Sequence, residues 1–399
     1  MLEQLIGKEH SIVSVLRFWP ILPAAWASAF AATWLCKKAA LRFGIVDRPN
    51  DTVKIHKEPI AYLGGLGMFV GLIVGVLVGI QCIGKADYAP LAMRWLLAVL
   101  AGGGIACFVG LVDDLLDIKP RNKLLGCCAA AGVLLLISGW YIGDTEHGLG
   151  IVPGIRYAAA PFGIAIPYYL EQILCVAVVI VFVLGATNSL NLLDGLDGLC
   201  AGVTAIITVA LLLLSIHLTT WGFSEVGDPV RIIICLSLVA CVCGFLPFNR
   251  HPAKIFMGDA GSMLLGFMVA VLMLLSGERW PRWWMASVVI FGLPILDTAV
   301  ALVRRFLNHR PLFISDRGHI YDQMLDRGIP LKKTVAICYS LAAAYAAVGL
   351  AMIPIRTRYA GIVYVLVVVV SSIVVWRKGY LKMEGLRGAV HRESDNVRP

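Results

Sequence analysis

The sequence predicts an all-α integral membrane protein, a polytopic helical bundle of about eleven transmembrane helices, and three observations carry that prediction. The first is composition. Of 399 residues, 59% are hydrophobic and only 15% are charged, with a mean hydropathy of +0.83, whereas soluble domains run about 45–50% apolar and about 25% charged. The second is the recurrence of apolar runs close to the length of about 20 residues that crosses a bilayer. The third is the placement of the 34 lysines and arginines, which lie mostly between the runs rather than in one patch. The net charge of +9 therefore marks membrane-flanking loops, not a nucleic-acid surface. A soluble enzyme, a disordered tail and a nucleic-acid binder are excluded.

The runs are 18–36, 62–83, 91–112, 124–143, 173–190, 199–218, 230–248, 260–275, 284–303, 334–355 and 360–376. The first contains Trp19, Pro20 and Trp34 and has no clean small-residue cleavage site, so it reads as a span rather than a signal peptide. The eighth is short and has room to begin before Gly258. Connections after odd-numbered spans hold 24 of the 34 basic residues. The positive-inside rule puts that side in the cytoplasm. An odd number of spans then places the N-terminus outside and the C-terminus in the cytoplasm. Residues 1–380 read as one transmembrane domain with cytoplasmic active-site loops, and 381–399 as a polar cytoplasmic tail. Most of the 11 cysteines sit inside apolar runs and read as packing; Cys241 and Cys243 have no zinc-ligand partners nearby.

Polar residues gather at the odd connections. Asp113, Asp114 and Asp117 close span three. A carboxylate costs about 2.5–3.5 kcal/mol at mid-bilayer, but it is tolerable at the interface and useful facing a cation. Asp113 and Asp117 are spaced i,i+4 and would share a helix face. The alternative is a solvated helix end followed by Lys119, Arg121 and Lys123. At the end of span five, Asn188, Asn191, Asp194 and Asp197 recur at intervals of three. On a helix the first three fall within an arc of about 120°, and Gly195 and Gly198 allow the backbone to turn. Their hard oxygens suit Mg²⁺ or hydrogen bonds to a base or ribose; a capped loop with two Asp-Gly turns is the alternative.

Entering span eight come Lys254, Phe256, Gly258, Asp259, Gly261 and Ser262. Asp259 can N-cap a helix or present a carboxylate to a metal. Phe256 can stack on a planar base or anchor at the interface. The longest odd connection carries Arg304, Arg305, Arg310, Arg317 and His319. Those arginines suit phosphates, although the positive-inside bias alone would also supply them. Asp297, in span nine after Pro294 and two turns before Arg304, reads as a buried polar contact with the bundle. Acidic groups, basic loops and apolar grooves at one interface point to phosphoryl transfer onto or from a lipid phosphate.

The blocks GLVDDLLDIKPRNKLLG, TNSLNLLDGLDGLCAG, IFMGDAGSMLLGF and DRGHIYDQMLDRG resemble the polyprenyl-phosphate N-acetylhexosamine-1-phosphate transferase family. So do VDRPNDTVKIHKEPIAYLGG at 46–65 and PILDTAVALVRR at 294–305. The resemblance covers about residues 40–340. It implies transfer of a sugar 1-phosphate from a UDP-activated amino sugar to undecaprenyl phosphate, or to dolichyl phosphate in eukaryotes, with release of UMP. Eleven spans resemble the branch that moves N-acetylglucosamine 1-phosphate for cell-envelope polysaccharides; the peptidoglycan branch, which moves phospho-N-acetylmuramoyl-pentapeptide, usually has ten. By the same resemblance the catalytic set is Asp113, Asp114 and Asp259. Asp259 and Asn191 are the implied ligands of Mg²⁺, with Mn²⁺ as the alternative ion. Asn188, Asp194, Gly195, Asp197 and Phe256 are implied to bind the nucleotide sugar. Lys54, Lys57, Lys123, Arg317 and His319 are implied to bind phosphate or the lipid phosphate.

The implied partners are a UDP-sugar, undecaprenyl phosphate, the lipid bilayer and a second copy of the chain, with no nucleic acid. The implied location is the inner (plasma) membrane, multi-pass, with the active site facing the cytoplasm. Two departures stand out. The family's His-x-His-His loop here reads His319-Ile320-Tyr321-Asp322, and its first-loop basic pair is altered around Val53, Lys54, His56 and Lys57. A nucleotide-sugar or ion-coupled transporter is the rival of another class. It would place carboxylates near the midplane, whereas all but Asp297 lie at span ends.

Overall fold

The computed structural model describes residues 15–47, 60–84, 88–139, 167–221, 226–277, 280–310 and 318–381. Each of the eleven apolar runs is helical over most of its described residues. In chain order the helices are α1 (Ile21–Phe43), α2 (Gly64–Ile83), α3 (Ala89–Leu116), α4 (Pro120–Ser138), α5 (Tyr168–Leu193), α6 (Leu199–Trp221) and α7 (Gly227–Asn249). They continue with α8 (Gly258–Ser276), α9 (Pro281–Ile290), α10 (Gly292–Leu307), α11 (Ile320–Asp326), α12 (Leu331–Ala351) and α13 (Thr357–Arg377). Among the described residues, nine helices are long and apolar enough to cross a membrane, and the bent pair α9 and α10 meets the same criterion when taken together. Helix α1, at 23 residues, is long enough to be the eleventh but carries Lys37, Lys38 and Arg42 in its last two turns.

The helix ends follow from local chemistry. Gly44 and Gly139 stop α1 and α4 in the left-handed conformation, each donating its N–H back to a carbonyl of the last turn. Pro120 starts α4, where a missing N–H costs nothing. Span nine departs from the single helix expected over 284–303: it bends by 69° between Ile290 and Gly292. Pro294 cannot donate within the ladder, and Gly292 loosens the backbone beside it. Asp117 also departs from expectation. It has left the helix at φ +48° and donates its N–H to the Asp113 carbonyl at 2.9 Å, so it does not share a face with Asp113.

Helix α8 is the axis of the bundle. Of its 19 residues only Asp259 is not fully buried, the pattern of a helix surrounded by protein on all sides. It packs on α2, α3 and α5. By contrast, only 11% of the apolar window of α13 is covered by protein, against 94% for α8. Helix α13 thus presents Ile362, Val365, Leu366 and Ile373 outward, as a lipid-facing helix does. A short antiparallel ribbon pairs β1 (Val46–Asp47) with β2 (Ile60–Ala61), and Ala61 bridges to Ile255 just before α8. The eleven cysteines are all free thiols, and seven of them are buried.

The close approach of α3 to α8 depends on Gly110, where a Cβ would overlap the Asp259 carbonyl. A Cβ at Gly132 on α4 would meet nothing within 4 Å. Gly110→Val is expected to cost about 1–3 kcal/mol through overpacking and to lower the melting temperature in detergent. Gly132→Ala is expected to leave it unchanged or slightly raised. Equal melting temperatures for the two variants would contradict the packing.

Candidate active site

The site is built around the start of α8. The first four N–H groups of any helix lack partners within it, and here they lie inside the bundle. Met257, at the N-cap, supplies no side-chain acceptor. The acceptor arrives from α3: Asp114 Oδ1 receives the Asp259 N–H at 2.8 Å and Oδ2 the Ala260 N–H at 3.1 Å. A carboxylate there also meets the positive end of the helix dipole. Gly258 makes this possible, with φ at +66° and no Cβ to collide with the Asp114 carboxylate. The sequence allowed Asp259 to cap its own helix; instead Asp114 caps it from outside.

Asp113 points elsewhere. Its Oδ1 accepts the Ile118 N–H at 3.0 Å and its Oδ2 accepts from Lys123 Nζ at 2.9 Å. Lys123, in the first turn of α4, is the hub. Its ammonium carries three protons and donates to Asp113, to Asn191 Oδ1 at 3.1 Å and to Asp259 Oδ2. Asn191, at the end of α5, donates its amide to Asp259 Oδ1 at 2.7 Å and to Ser262 Oγ at 3.0 Å. Four helices thereby bring Asp113, Asp114, Lys123, Asn191 and Asp259 to one end of the bundle. The motif alone gives Ser262 no role; its partner sits 71 residues away in sequence, which no spacing reveals.

Asp194 lies just beyond α5. Burial holds its carboxyl well above the usual range, and the carboxylates of Asp259, Asp114 and Asp197 push it further. The neutral, protonated form of Asp194 is therefore favoured among these carboxylates. Asp197 is engaged with the next loop, accepting from His251 Nδ1 at 2.8 Å and from the Ala253 N–H at 3.0 Å. Asn188 donates its amide back to the Leu184 carbonyl at 2.7 Å. Phe256 donates its N–H to the Ala61 carbonyl at 2.9 Å and meets Tyr62 edge-on at 6.1 Å. Lys54, Lys57 and Arg317 lie outside the described residues.

His319 is buried, not presented on a loop surface. Its Nδ1 pairs with Asp297 Oδ2 at 2.8 Å, and Asp297 Oδ1 accepts the Ile320 N–H at 2.7 Å. Asp297 is thus the buried polar contact the sequence suggested, and Arg304 donates to the Gly318 carbonyl. Tyr321 stacks on His319, centroids 5.6 Å apart, and its hydroxyl donates to the Leu192 carbonyl at 2.9 Å. Its ring fills the space where Gly195 lacks a side chain. The tyrosine that breaks the expected histidine motif therefore braces the turn carrying Asn191 and Asp194.

Among the described residues, no three His, Cys, Asp or Glu side chains converge on a metal position. The donors of Asp259 and Asn191 are a carboxylate and an amide oxygen. That hard, incomplete set suits Mg²⁺, which keeps waters and takes further oxygens from phosphates. Asp114→Asn would replace one acceptor with an NH₂ facing a helix N–H. It is expected to cost about 1–3 kcal/mol, read as a lower melting temperature. Asp117→Asn, on an exposed residue, is expected to leave melting unchanged.

The chain is similar to several known proteins. The chain is 30% identical over 316 residues, 77% of each chain, to the probable undecaprenyl-phosphate N-acetylglucosaminyl 1-phosphate transferase of Bacillus subtilis (strain 168). It is 29% identical over 387 residues to the decaprenyl-phosphate N-acetylglucosaminephosphotransferase of Mycolicibacterium smegmatis, covering 90% of this chain and 88% of that one. Over 270 residues it is 33% identical to the phospho-N-acetylmuramoyl-pentapeptide-transferase of Synechococcus sp. (strain CC9311), covering 66% and 67%. The profile of glycosyl transferase family 4 matches residues 96–277, a stretch that contains Asp113, Asp114, Lys123, Asn191 and Asp259. On these matches, and with that cluster assembled at one end of the bundle, the chain belongs to glycosyl transferase family 4.

Proposed function

We propose that the protein transfers N-acetylglucosamine 1-phosphate from its UDP-sugar to undecaprenyl phosphate, releasing UMP and forming a polyprenyl-diphosphate-linked sugar. The observation that carries this reading is the Asp259 carboxylate, held between Lys123 and Asn191 at the mouth of the bundle. The first relatives above, named for N-acetylglucosamine phosphate transfer to polyprenyl phosphates, support the choice of donor and acceptor. The basic residues of the odd connections support a cytoplasmic active site in the inner membrane.

Asp259 and Asn191 would hold Mg²⁺, which when bound supplies positive charge against the donor diphosphate. The protein's own groups do the positioning. Lys123 offers a second cation and is kept in place by Asp113. Asp114 has both oxygens committed to the start of α8, so it serves best by fixing Asp259 rather than by accepting a proton. The acceptor needs little help: a phosphate monoester has a second pKa of about 6 and is largely dianionic at neutral pH. Direct in-line attack of a lipid-phosphate oxygen on the β-phosphorus, with UMP leaving on the opposite side, is therefore preferred over an aspartyl-phosphate intermediate. Asp297, through His319, and Tyr321, through the Leu192 carbonyl, hold the loop and turn that border the donor.

The Synechococcus relative supports a second reading, transfer of phospho-N-acetylmuramoyl-pentapeptide. Purified protein incubated with undecaprenyl phosphate and a panel of UDP-sugars, with and without Mg²⁺, separates the two. UMP and lipid-linked N-acetylglucosamine are expected only with the N-acetylglucosamine donor and Mg²⁺. Asp259→Ala is expected to lower UMP release by about 100-fold or more while the protein still melts cooperatively. Full turnover by that variant, or uptake of the UDP-sugar into vesicles without UMP release, would overturn the reading.

A further inference from the structure

The end of the bundle opposite the carboxylates carries a different kind of site. Helix α8 begins beside Asp114 and ends at Ser276, so the connection into α9 lies at the far end. Helix α12 starts near α11 and runs the same way, so the turn into α13 lies there too. Between these two connections is a cavity of about 340 Å³ lined by Trp280, Arg282, Arg356, Thr357 and Arg358. Among the described residues, three of the five that line it are arginines and none is acidic.

These arginines are unlike other cations of the chain. Lys123 is met by two carboxylates and an amide oxygen. Arg231 is buried against Asp228 and the Leu275 carbonyl. Among the described residues, by contrast, Arg282, Arg356 and Arg358 form no ion pair. Arg282 lies over the rings of Trp280 and Trp283 at 5.6 and 4.9 Å, and its Nε is buried with no hydrogen-bond partner. Arg358 lies over Tyr359 at 4.6 Å and donates to its hydroxyl at 2.9 Å. Three like charges around one cavity repel unless an anion joins them. A buried guanidinium N–H without a partner is costly. The first turn of the 21-residue α13 adds N–H groups that lack helical acceptors. The positive-inside rule does not explain these arginines either, because they sit in the even connections.

The surroundings indicate what carries the anion. Trp280 and Tyr359 are both partly exposed beside the cavity, and Trp and Tyr favour the headgroup level of a bilayer. Helix α13 continues from it with an outward apolar face, Ile362, Val365, Leu366 and Ile373, on which acyl chains can lie. A guanidinium matches a phosphate in charge and in bidentate geometry.

We propose that this cavity binds a phosphate group presented by the headgroup of an anionic phospholipid, in the leaflet opposite the active site. The proposal does not rest on the transferase reading.

Native mass spectrometry of the detergent-purified full chain, titrated with dimyristoylphosphatidylglycerol, tests it. A one-to-one adduct is expected, retained in preference to dimyristoylphosphatidylcholine. The triple variant Arg282→Gln, Arg356→Gln, Arg358→Gln is expected to bind phosphatidylglycerol about 100-fold more weakly. Arg358→Gln alone, on an exposed residue, is expected to weaken it about fivefold, and this readout stands if the triple variant fails to fold. Arg377→Gln with Lys378→Gln, at the other end of α13, is expected to keep the adduct. Unchanged affinity in the arginine variants, or equal retention of phosphatidylcholine, would overturn the site. Inorganic phosphate alone binding with the affinity of phosphatidylglycerol would overturn the lipid as its source.

Discussion

The arrangement depends on one interaction, the two-pronged hydrogen bond from the start of α8 to the Asp114 carboxylate. A helix buried on every side cannot satisfy its first N–H groups with water. Its own N-cap, Met257, has no side-chain acceptor, so the acceptor for the first N–H groups has to come from a neighbour. Once α3 supplies it, the distance between the two helices and the rotation of α8 are both constrained. Asp259, the one residue of α8 not fully buried, is then turned toward α4 and α5. The glycines at 110 and 258 follow from that requirement, because any side chain there would push the carboxylate or the helix away.

The cluster that results is balanced around one ammonium. Lys123 uses all three of its protons on oxygens from three different helices, and Asn191 closes the ring through Asp259. Each partner is short and comes from a helix end, so the geometry is set by backbone packing rather than by long flexible side chains. The carboxyl groups of Asp113, Asp114, Asp194 and Asp259 outnumber the one ammonium, so a further cation would relieve their mutual repulsion. The second loop, 318–321, is tied in by a different principle. Asp297 holds the His319 ring and the Ile320 N–H together, and Tyr321 reaches the Leu192 carbonyl, so a replacement that removes a histidine supplies a brace.

Much of the bundle was legible in the amino-acid sequence, because membrane spans are written as long apolar runs and each of the eleven runs is helical over most of its described residues. The break in span nine was marked only by Gly292 and Pro294. Asp113, Lys123, Asn191 and Asp259 could be nominated from their odd placement at span ends, and resemblance supplied their roles. What adjacency concealed was direction. Asp113 and Asp114 are neighbours, yet one faces an ammonium and the other a helix terminus. Asp197 and Asp297 read as polar anomalies, but their partners His251 and His319 lie 54 and 22 residues away. Only the packing of helices brings such pairs together.

Hydrogen exchange of the amides of Asp259 and Ala260, followed by mass spectrometry on peptides spanning 255–262, tests the central interaction most directly. Uncapped N–H groups at a helix start exchange quickly. Both amides are predicted to be protected in the wild type. In Asp114→Asn they should lose protection by about tenfold or more, while the middle of α8 stays protected. Fast exchange at both amides in the wild type, or equal protection in the variant, would contradict the account.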